Sequence, residues 1–243
     1  MSKLGVNIGN THIKLGYLDP SGALISATYL PEELTGVGSF FWGLKITEIV
    51  VASVVPQLTQ QVIDALVALT GARVKMLTHQ DLSLDMTAYD TRLVGIDRLL
   101  ACQAVINQSP QDQGGKIIFD LGTATTVNVL DRHQHFLGGA ILAGAKMNLY
   151  ALGAKGAQLP EISLEAVGAI SSAIGHNTKD GIIAGLVYGT AGTVMGMAQQ
   201  IQGELGYPCQ CWLTGGFAPY ILPHLKGKYV HNPHLVIEGI LSC

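Results

Sequence analysis

The chain has 243 residues, of which 13% are charged and 48% are apolar, and its formal net charge is −3. This length allows one large domain or two small ones, each with a sizeable core. The weak negative charge argues against nucleic acid and against an anionic membrane surface as partners, although backbone amides could still bind a small anion. So few charges predict a largely apolar surface, for which a subunit interface is the simplest reason.

The first residues of the chain and the spacing of its cysteines bear on the cellular compartment of the protein. Residues 1–4 run directly into an apolar strand and lack the basic start, apolar block and cleavage site of a signal peptide, so we expect a cytoplasmic protein. The cysteines form no Cys-x-x-Cys pair, which favours reduced structural thiols over a zinc site. They are Cys102, Cys209, Cys211 and Cys243.

The first predicted element is a β-hairpin with a glycine turn. The apolar residues 4–6 lead into Asn7-Ile8-Gly9-Asn10-Thr11, and alternation resumes over residues 12–17. Glycine lets the backbone approach a ligand closely, and hydroxyl side chains with backbone amides suit a phosphate. Because strand-glycine-strand turns are common in proteins that bind nothing there, this hairpin alone is weak evidence.

The segments that follow predict a sheet of mixed direction. A third antiparallel strand comes first, and then strands alternate with helices, which favours an α/β sheet with helices on its faces. Pro56 opens one helix and Gly71 ends it. The expected bounds are strands at 23–29, 47–55 and 73–77, with helices at 31–44 and 56–69.

An aspartate lies where an irregular polar stretch meets a helix. Residues 78–94 lead to Gly95-Ile96-Asp97-Arg98, and a helical pattern then runs to Pro110. A carboxylate at such a junction is accessible enough to act as a general base. Alternatively, Asp97 caps the helix and pairs with Arg98. Residues 108–115 are typical of a linker, so we expect domains at 1–112 and 113–243.

The second half opens on a hairpin of the same design. Residues 117–119 lead into Asp120-Leu121-Gly122-Thr123, and Thr125 and Thr126 begin the returning strand. A glycine, hydroxyls and a carboxylate at a strand end suit a phosphate with a cation or a water. Two such hairpins, about half a chain apart, predict two similar domains that face one another across a nucleotide cleft.

The remaining segments are a hairpin tip, further helices and a strand. His133 and His135 at the tip could bind a metal, but no carboxylate or third ligand lies at a suitable spacing, so we expect solvated histidines. The expected bounds are the tip at 132–135, helices at 144–153, from 218 and at 234–241 on the rim, and a strand at 209–213.

A long helix is expected after the cap Asn177-Thr178. Residues 181–203 contain no charged side chain and are long enough to span a bilayer. Their recurring glycines would let a second helix approach closely. Because no second apolar span and no basic cluster accompany this stretch, we expect a buried helix at a domain or dimer interface.

Short motifs occur in a fixed order along nearly the whole chain. They are Asn7-x-Gly9-Asn10-Thr11, Gly95-Ile96-Asp97-Arg98, Asp120-x-Gly122-Thr123-Ala124-Thr125-Thr126, Gly138-Gly139, Asn177-Thr178 and Thr214-Gly215-Gly216. In this order they resemble the type III pantothenate kinases of the actin-like kinase superfamily. The resemblance implies an α/β fold of two actin-like (ribonuclease H-like) lobes with mixed sheets flanked by helices. It also implies ATP-dependent phosphorylation of the primary hydroxyl of pantothenate, the first step towards coenzyme A, by a homodimer that uses Mg²⁺ and K⁺ or NH₄⁺.

The resemblance also implies a role for each matching residue. Asp97 would accept the hydroxyl proton, and Thr178 would reach the substrate from the neighbouring subunit. The other expected pantothenate contacts are Tyr89, Gly95, Ile96 and Arg98. The expected ATP contacts are Asn7, Ile8, Gly9, Asn10, Thr11, His12, Ile13, Lys14, Thr123, Gly215 and Gly216. Asp120 would hold the monovalent cation.

Each of these residues also has a plain structural alternative. Arg98 could form a surface ion pair, Tyr89 could pack within its loop, and Thr178 could cap its helix. Asp120 and the glycine pair could simply belong to turns.

The first hairpin departs from the family, which has aspartate where this chain has Asn7. An amide lacks the charge to hold a hydrated Mg²⁺ strongly. A natural variant with weaker metal use, an engineered substitution and a catalytically inactive paralogue would each account for it. The alternative functions are therefore a non-catalytic ATP-binding regulator and a sugar or acetate kinase of the same superfamily.

Overall fold

The computed structural model describes residues 2–109, 114–156, 159–168 and 170–243. They form two compact units, one of residues 1–111 with 234–243 and the other of residues 112–233. The expected domain boundary at 112–113 and part of the expected linker at 108–115 lie outside the described residues.

The centre of the first unit is a mixed sheet. Its strands are β1 (Ser2–Ile8), β2 (Ile13–Leu18), β3 (Leu24–Tyr29), β4 (Ile46–Ser53) and β5 (Arg73–Met76). They lie in the order β3-β2-β1-β4-β5. The pairs β1–β2 and β2–β3 are antiparallel, whereas β4 is parallel to both β1 and β5. The expected hairpin and the expected parallel strand are confirmed.

The second unit repeats this arrangement. Its strands are β6 (Gly115–Leu121), β7 (Ala124–Leu130), β8 (Phe136–Ala143), β9 (Cys209–Thr214) and β10 (Tyr229–His231). They lie in the order β8-β7-β6-β9-β10, with β6–β7 and β7–β8 antiparallel and β6, β9 and β10 parallel. Each strand of one unit therefore has a counterpart in the other, as expected for two similar domains.

The expected helices are present, although the one expected at 31–44 is a 3₁₀ helix that ends at Phe41. The α-helices are α1 (Pro56–Thr70), α2 (Ile96–Gln108), α3 (Ala145–Lys155), α4 (Thr178–Leu205), α5 (Ala218–Ile221) and α6 (Leu235–Ser242). The 3₁₀ helices are Pro31–Phe41, His79–Asp81, Thr91–Leu93, Leu164–Ala166 and Leu222–His224. Gly71 ends α1 in the left-handed conformation and donates its N–H to Val67 O at 2.8 Å.

Each unit buries its own apolar core. In the first unit, alternate residues of β1 face the core that also receives Val62 and Leu66 of α1. In the second unit, Phe119 and Leu213 of the sheet pack with the buried face of α4. Fully burying a side chain of this size contributes about 1.5–3 kcal/mol. The cores hold the sheet ends in place, and the predicted site residues lie at those ends.

The last helix lies inside the first unit and not on a rim, so that expectation was wrong. Leu235 and Ile240 of α6 are completely buried. A Cβ built on Gly239 would lie 2.2 Å from Leu100 O, so α6 and α2 are in backbone contact there. The strand glycines Gly5 and Gly16 likewise make room for α6 side chains. Helix α6 therefore covers the face of the first sheet opposite its main core.

Helix α4 is covered on one face within the single chain, and the expected domain or dimer interface at this helix stays a prediction for its other face. Its residues Ala184, Val187, Ala191, Val194 and Ala198 are buried in the second unit. Its glycine face is exposed, with open space where a Cβ would stand, and comprises Gly181, Gly185, Gly189, Gly192 and Gly196. Among the residues described, α4 is the one helix long and apolar enough to cross a membrane. The face of α4 opposite its glycines packs in the core of the second unit.

Candidate active site

The turn between β1 and β2 is tight and open to ligands. Gly9 donates its N–H to His12 O at 3.0 Å, and Ile8 pairs with Ile13 at the base of the turn. Asn10 at the tip is exposed, while Thr11 and His12 are partly exposed. The turn thus places polar residues at the surface of the unit, where phosphate oxygens could approach them.

Asn7 precedes this turn and has an unusual environment. The residue is only 8% exposed, and within the described part of the chain its Oδ1 has no hydrogen-bond partner. A buried acceptor without a donor costs about 1–3 kcal/mol. Lys14 lies directly opposite Asn7 on β2, so the two side chains project from the same face of the sheet. Asn7 can therefore accept a hydrogen bond from whatever donor comes to this turn.

Asp97 lies in the first turn of α2, behind the N-cap residue Gly95. Its Oδ1 accepts a hydrogen bond from the backbone N–H of Arg98 at 2.9 Å. Burial raises the pKa of the Asp97 carboxyl above its ordinary value of 3.8, although Arg98 opposes this shift. A Cβ on Gly95 would stand 2.5 Å from Asp97 Oδ1, so glycine is needed for the carboxylate to take this position.

Arg98 is buried, with 9% of its surface exposed, so the surface ion pair considered from the sequence is not what the structure shows. A buried guanidinium is a rigid fork of donors suited to a carboxylate or a phosphate.

The glycine turn and Asp97 lie at the same edge of the first sheet. Val54, which follows β4, donates its N–H to Ile8 O at 3.1 Å. A Cβ on Gly95 would lie 3.5 Å from Val54 Cγ1. Val54 therefore contacts both segments, and the carboxyl ends of the parallel strands β1 and β4 bring together motifs that are far apart in the sequence. Ligands of α/β proteins commonly bind at this end of parallel strands.

Tyr89 lies in a braced loop that precedes α2. Its N–H donates to Met86 O at 3.0 Å. Next to it, Asp90 accepts hydrogen bonds from the backbone and the guanidinium of Arg92 at 2.9–3.1 Å. The neighbouring Leu93 is 98% exposed. The loop is thus fixed by its own contacts, and Tyr89 is partly buried within it.

In the second unit, two predicted site segments meet at the β6–β7 turn. Asp120 pairs with Thr214 of β9, and Gly122 donates its N–H to Ala124 O at 3.1 Å to close the β6–β7 turn. Gly215 has a φ of +89°, and a Cβ there would lie 2.5 Å from Leu121 N and 2.6 Å from Asp120 Oδ1. The backbone after β9 therefore lies directly against the Asp120 carboxylate, whereas Gly216 faces open space.

A further glycine supports this turn and was not singled out from the sequence. A Cβ on Gly144 would lie 2.3 Å from Thr123 O and 2.4 Å from Gly122 O. Gly144 is the N-cap residue of α3, so its sequence context signals only a helix start. Its contact with the predicted phosphate turn arises from the pairing of β7 with β8 and has no local signature.

Thr178 begins α4 at the mouth of a groove in the second unit. Asn177 supplies the helix cap, since its Oδ1 accepts the N–H of Asp180 at 2.9 Å, and Thr178 is therefore not the capping residue. The groove has a volume of about 690 Å³ and lies between α4, α3 and the end of β8. Gly181, Gly185 and Gly189 form part of its wall, beside Thr125 and Asn148.

The family model for type III pantothenate kinase matches residues 3–200 of the chain. The chain belongs to this family. Among curated relatives, type III pantothenate kinase 1 of Francisella tularensis is 28% identical over 98% of this chain and 95% of its own length. The type III pantothenate kinase of Dictyoglomus turgidum is 31% identical over 98% of this chain and 96% of its own length.

Solved structures show the fold of this type III pantothenate kinase family member. A putative Baf family transcriptional activator of Campylobacter jejuni has a TM-score of 0.64, at 17% identity over 98% of this chain and 96% of that one. A ROK family glucokinase of Streptomyces griseus has a TM-score of 0.60, at 11% identity over 100% and 98% of the two chains. ParM of Bacillus thuringiensis has a TM-score of 0.54, at 9% identity over 100% and 98%. The fold is that of two actin-like lobes, each a mixed sheet flanked by helices.

Membership of the pantothenate kinase family implies ATP and a divalent metal. The first hairpin has no charged ligand for the metal, because residues 7–14 contain no carboxylate. The buried polar group at the end of β1 is the neutral amide of Asn7. Within the described ranges, no group of three or more His, Cys, Asp or Glu side chains is arranged to hold a metal. Mg²⁺ normally binds through one or two carboxylates as well as phosphates. These residues therefore do not form the carboxylate site that a metal at this turn would need.

The hairpin tip at 132–135 holds the two histidines, and one expectation about it was wrong. A carboxylate does lie at a suitable spacing, since Asp131 Oδ2 is 3.1 Å from His135 Nδ1. Asp131 Oδ1 also accepts the backbone N–H groups of His133 and His135 at 2.8 Å each. The carboxylate closes the turn, and His133 remains exposed.

The cysteines of this kinase family member are all free thiols, as expected. Burial raises the pKa of Cys102 to about 12 and that of Cys211 to about 11. Thiols in such surroundings stay protonated and unreactive near neutral pH.

Proposed function

We propose that this protein transfers the γ-phosphoryl group of ATP to the primary hydroxyl of pantothenate. The product would be 4'-phosphopantothenate, at the first step of coenzyme A biosynthesis in the cytoplasm. The observation that carries this proposal is the place of Asp97, a partly buried carboxylate for which Gly95 leaves room at the sheet edge that also carries the glycine turn, in a chain of this family.

Asp97 would accept the proton of the attacking hydroxyl. A carboxylate whose pKa is raised by burial is a stronger proton acceptor than that of an ordinary aspartate. Arg98, Gly95, Ile96 and Tyr89 would position pantothenate beside it. In phosphoryl transfer the protein contributes mainly positioning and charge neutralisation, so a single base with fixed surroundings is sufficient.

The glycine turns would bind the nucleotide. Residues 7–14 would bind the phosphates from the first unit, and Thr123 from the second. Gly215 and Gly216 would let adenosine lie against bare backbone. Asp120 would hold K⁺ or NH₄⁺ beside Gly215, where its Oδ1 lies 2.6 Å from the Cβ position. The divalent metal, when it accompanies ATP, would supply charge to the phosphates.

The functional form would be a homodimer in which Thr178 reaches the substrate of the neighbouring subunit. Support comes from the exposed glycine face of α4 and from its groove, which a second helix could approach closely. The exposed apolar side chains Ile141 and Tyr150 belong to the same unit, with 65% and 77% of their surfaces exposed. Apolar exposure of this kind is typical of a subunit interface.

The second candidate is a non-catalytic ATP-binding regulator, and Asn7 is the observation that favours it. An assay of ADP release separates the two, with pantothenate, a sugar or acetate as acceptor and with or without K⁺. We expect release that depends on pantothenate and is stimulated by K⁺. Nucleotide binding without turnover would support the regulator, and turnover on another acceptor would change the substrate class.

The substitution Asn7→Asp tests how the first hairpin serves the metal. A carboxylate at this strand end would attract a hydrated Mg²⁺, so we expect faster turnover when Mg²⁺ is limiting and a smaller difference when it is saturating. Initial rates of ADP release across a Mg²⁺ titration give the comparison. An unchanged Mg²⁺ dependence would show that residue 7 does not serve the metal.

A further inference from the structure

We propose that Lys14, and not a metal ion held on residue 7, supplies the fixed positive charge for the nucleotide phosphates at the β1–β2 turn, and that Asn7 orients its ammonium group. The inference rests on the proposed ATP-binding function and specifies how this chain binds the anion. It predicts that nucleotide binds well without a divalent metal.

The register of the hairpin sets the two residues side by side. Asn7 and Lys14 are direct partners across β1 and β2, one step before Ile8 and Ile13 at the base of the turn. Side chains of such cross-strand partners have Cβ atoms about 4.5–5.5 Å apart and share one face. Leu4, Val6, Ile13 and Leu15 occupy the opposite, core face of the sheet.

Helix α6 covers part of this sheet face, and Asn7 with Lys14 occupies the part nearest the turn. Gly5 and Gly16 are also direct partners in this hairpin, and α6 packs over them, with Leu241 and Ile237 at the positions where Cβ atoms would stand. Asn7 and Lys14 are the next partners on that face towards the turn. They therefore lie between the apolar α6 contact and the phosphate-binding backbone.

Among the described residues, no salt bridge neutralises the charge of Lys14. Residues 7–14 contain no acidic side chain, and across the described ranges no carboxylate forms an ion pair with Lys14. An aspartate at position 7 would stand opposite Lys14 and cancel its charge, as oppositely charged cross-strand pairs do. With the amide in that place, the turn keeps one positive charge available to an anion.

The buried acceptor of Asn7 completes the arrangement. Its Oδ1 has no donor within the described residues, while an ammonium group carries three N–H donors and no acceptor. One donor of Lys14 can satisfy the amide oxygen, and the other two remain for phosphate oxygens. A lysine held in this way binds phosphate as a point charge.

The experiment measures affinity and not turnover. Isothermal titration calorimetry with ADP is carried out in excess EDTA and again in millimolar Mg²⁺, for the full-length protein and for Lys14→Met, Lys14→Arg, Asn7→Asp and Lys45→Met. Lys45 is the matched control, since it is exposed and precedes β4 at the end of the strand away from the turn. Thermal unfolding verifies that each variant is folded.

We expect the unmodified protein to bind ADP with nearly the same affinity in both buffers. Lys14→Met should lower the metal-free affinity by roughly tenfold or more, because a charge-assisted hydrogen bond is lost, while Lys14→Arg and Lys45→Met retain it. Asn7→Asp should weaken ADP binding in EDTA, because its carboxylate cancels the charge of Lys14, and millimolar Mg²⁺ should restore the affinity. The faster turnover expected for this variant at limiting Mg²⁺ therefore applies when ATP is saturating.

Two results would overturn the proposal. A strong Mg²⁺ requirement in the unmodified protein, or an unchanged metal-free affinity in folded Lys14→Met, shows that Lys14 is not the source of the charge while nucleotide binding itself stands. No binding of ADP in either buffer would instead refute the proposed ATP-dependent function, and with it this inference.

Discussion

Gly95, and not Asp97, is the N-cap residue of α2, so the capping role considered for Asp97 from the sequence was wrong, and its role as a base stays a prediction. The carboxylate accepts the Arg98 N–H in the first turn of α2, as a residue near a helix start does. The same carboxylate is partly buried, and its desolvation is the main reason that its pKa is raised. A helix contact therefore holds the group in place, and its burial makes it a candidate base.

Replacing Asp97 by Asn removes the base and keeps its shape. The amide oxygen can still accept the Arg98 N–H, so the fold should persist while turnover falls by about 10²- to 10⁴-fold. Steady-state rates of ADP release with pantothenate measure this loss, and calorimetry should show that nucleotide affinity is retained. Asp64→Asn is the control, because Asp64 is an exposed α1 residue that contacts only Gln60 among the groups described. A small effect of Asp97→Asn on turnover would assign the base elsewhere.

The raised pKa of Asp97 also has consequences for pH dependence. In kcat/KM, activity should fall on the acid side as the pH drops through a pKa above the ordinary 3.8, because the protonated carboxyl cannot accept a proton. Folding stability changes in the other direction. A pKa that is raised in the folded state stabilises the fold below the unfolded pKa, and this contribution disappears as the pH rises through the folded value.

The variant Asp97→Asn should therefore have a higher Tm than the unmodified protein at neutral pH. The difference should narrow as the pH is lowered. Thermal unfolding at several pH values follows this comparison, and a lower Tm for the folded variant at neutral pH would contradict it.

At the scale of elements, the site depends on close contacts between backbone segments. Gly215 lies on the β6 end and Gly144 lies on the turn after it, although the sequence separates them widely. Periodicity and turn residues were sufficient to predict both hairpins. They do not report which glycine touches which strand, because that follows from the sheet order β10-β9-β6-β7-β8.

The pair Gly215→Ala and Gly216→Ala tests these contacts. Alanine at residue 215 would adopt a left-handed backbone, at about 1–2 kcal/mol, and its Cβ would meet the backbone of Leu121. Gly216 has open space and no positive φ, so its substitution should change the free energy of unfolding by less than about 0.5 kcal/mol. Urea denaturation and ADP affinity distinguish the two variants. Equal effects would show that residue 215 is not specially constrained.

For the whole molecule, the sequence predicted the two similar lobes and the family. It did not predict which helix faces are buried or which sheet the last helix covers. The stretch 181–203 has no charge, which predicted burial, yet glycine contributes no apolar side chain and the glycine face stays open. The position of α6 could not be predicted either, since its apolar periodicity does not say which sheet it covers. The motif alone likewise could not show that Asn7 Oδ1 is buried without a hydrogen-bond donor among the described residues.

The substitution Gly185→Leu tests whether the open face of α4 is where two copies meet. A leucine has room on the isolated chain, so the fold should remain, but it would keep a second helix at a distance. We expect a monomer by light scattering and a loss of pantothenate-dependent turnover, because Thr178 would no longer reach a neighbouring site. Gly203→Leu, also in open space near the end of α4, is the control. A dimeric, fully active Gly185→Leu would place the interface elsewhere.

The return of α6 to the first unit also bears on biosynthesis. Residues 112–233 are continuous and leave the ribosome as a complete unit, whereas the first unit must wait for residues 234–243. Until then, the strand face at Gly5 and Gly16 lacks its helix and Leu100 lacks the neighbour it meets at Gly239. During synthesis the unit whose residues are made first is therefore completed after the other, and Asp97, in the first turn of the helix that α6 packs against, gains its final support only once residues 234–243 have been made.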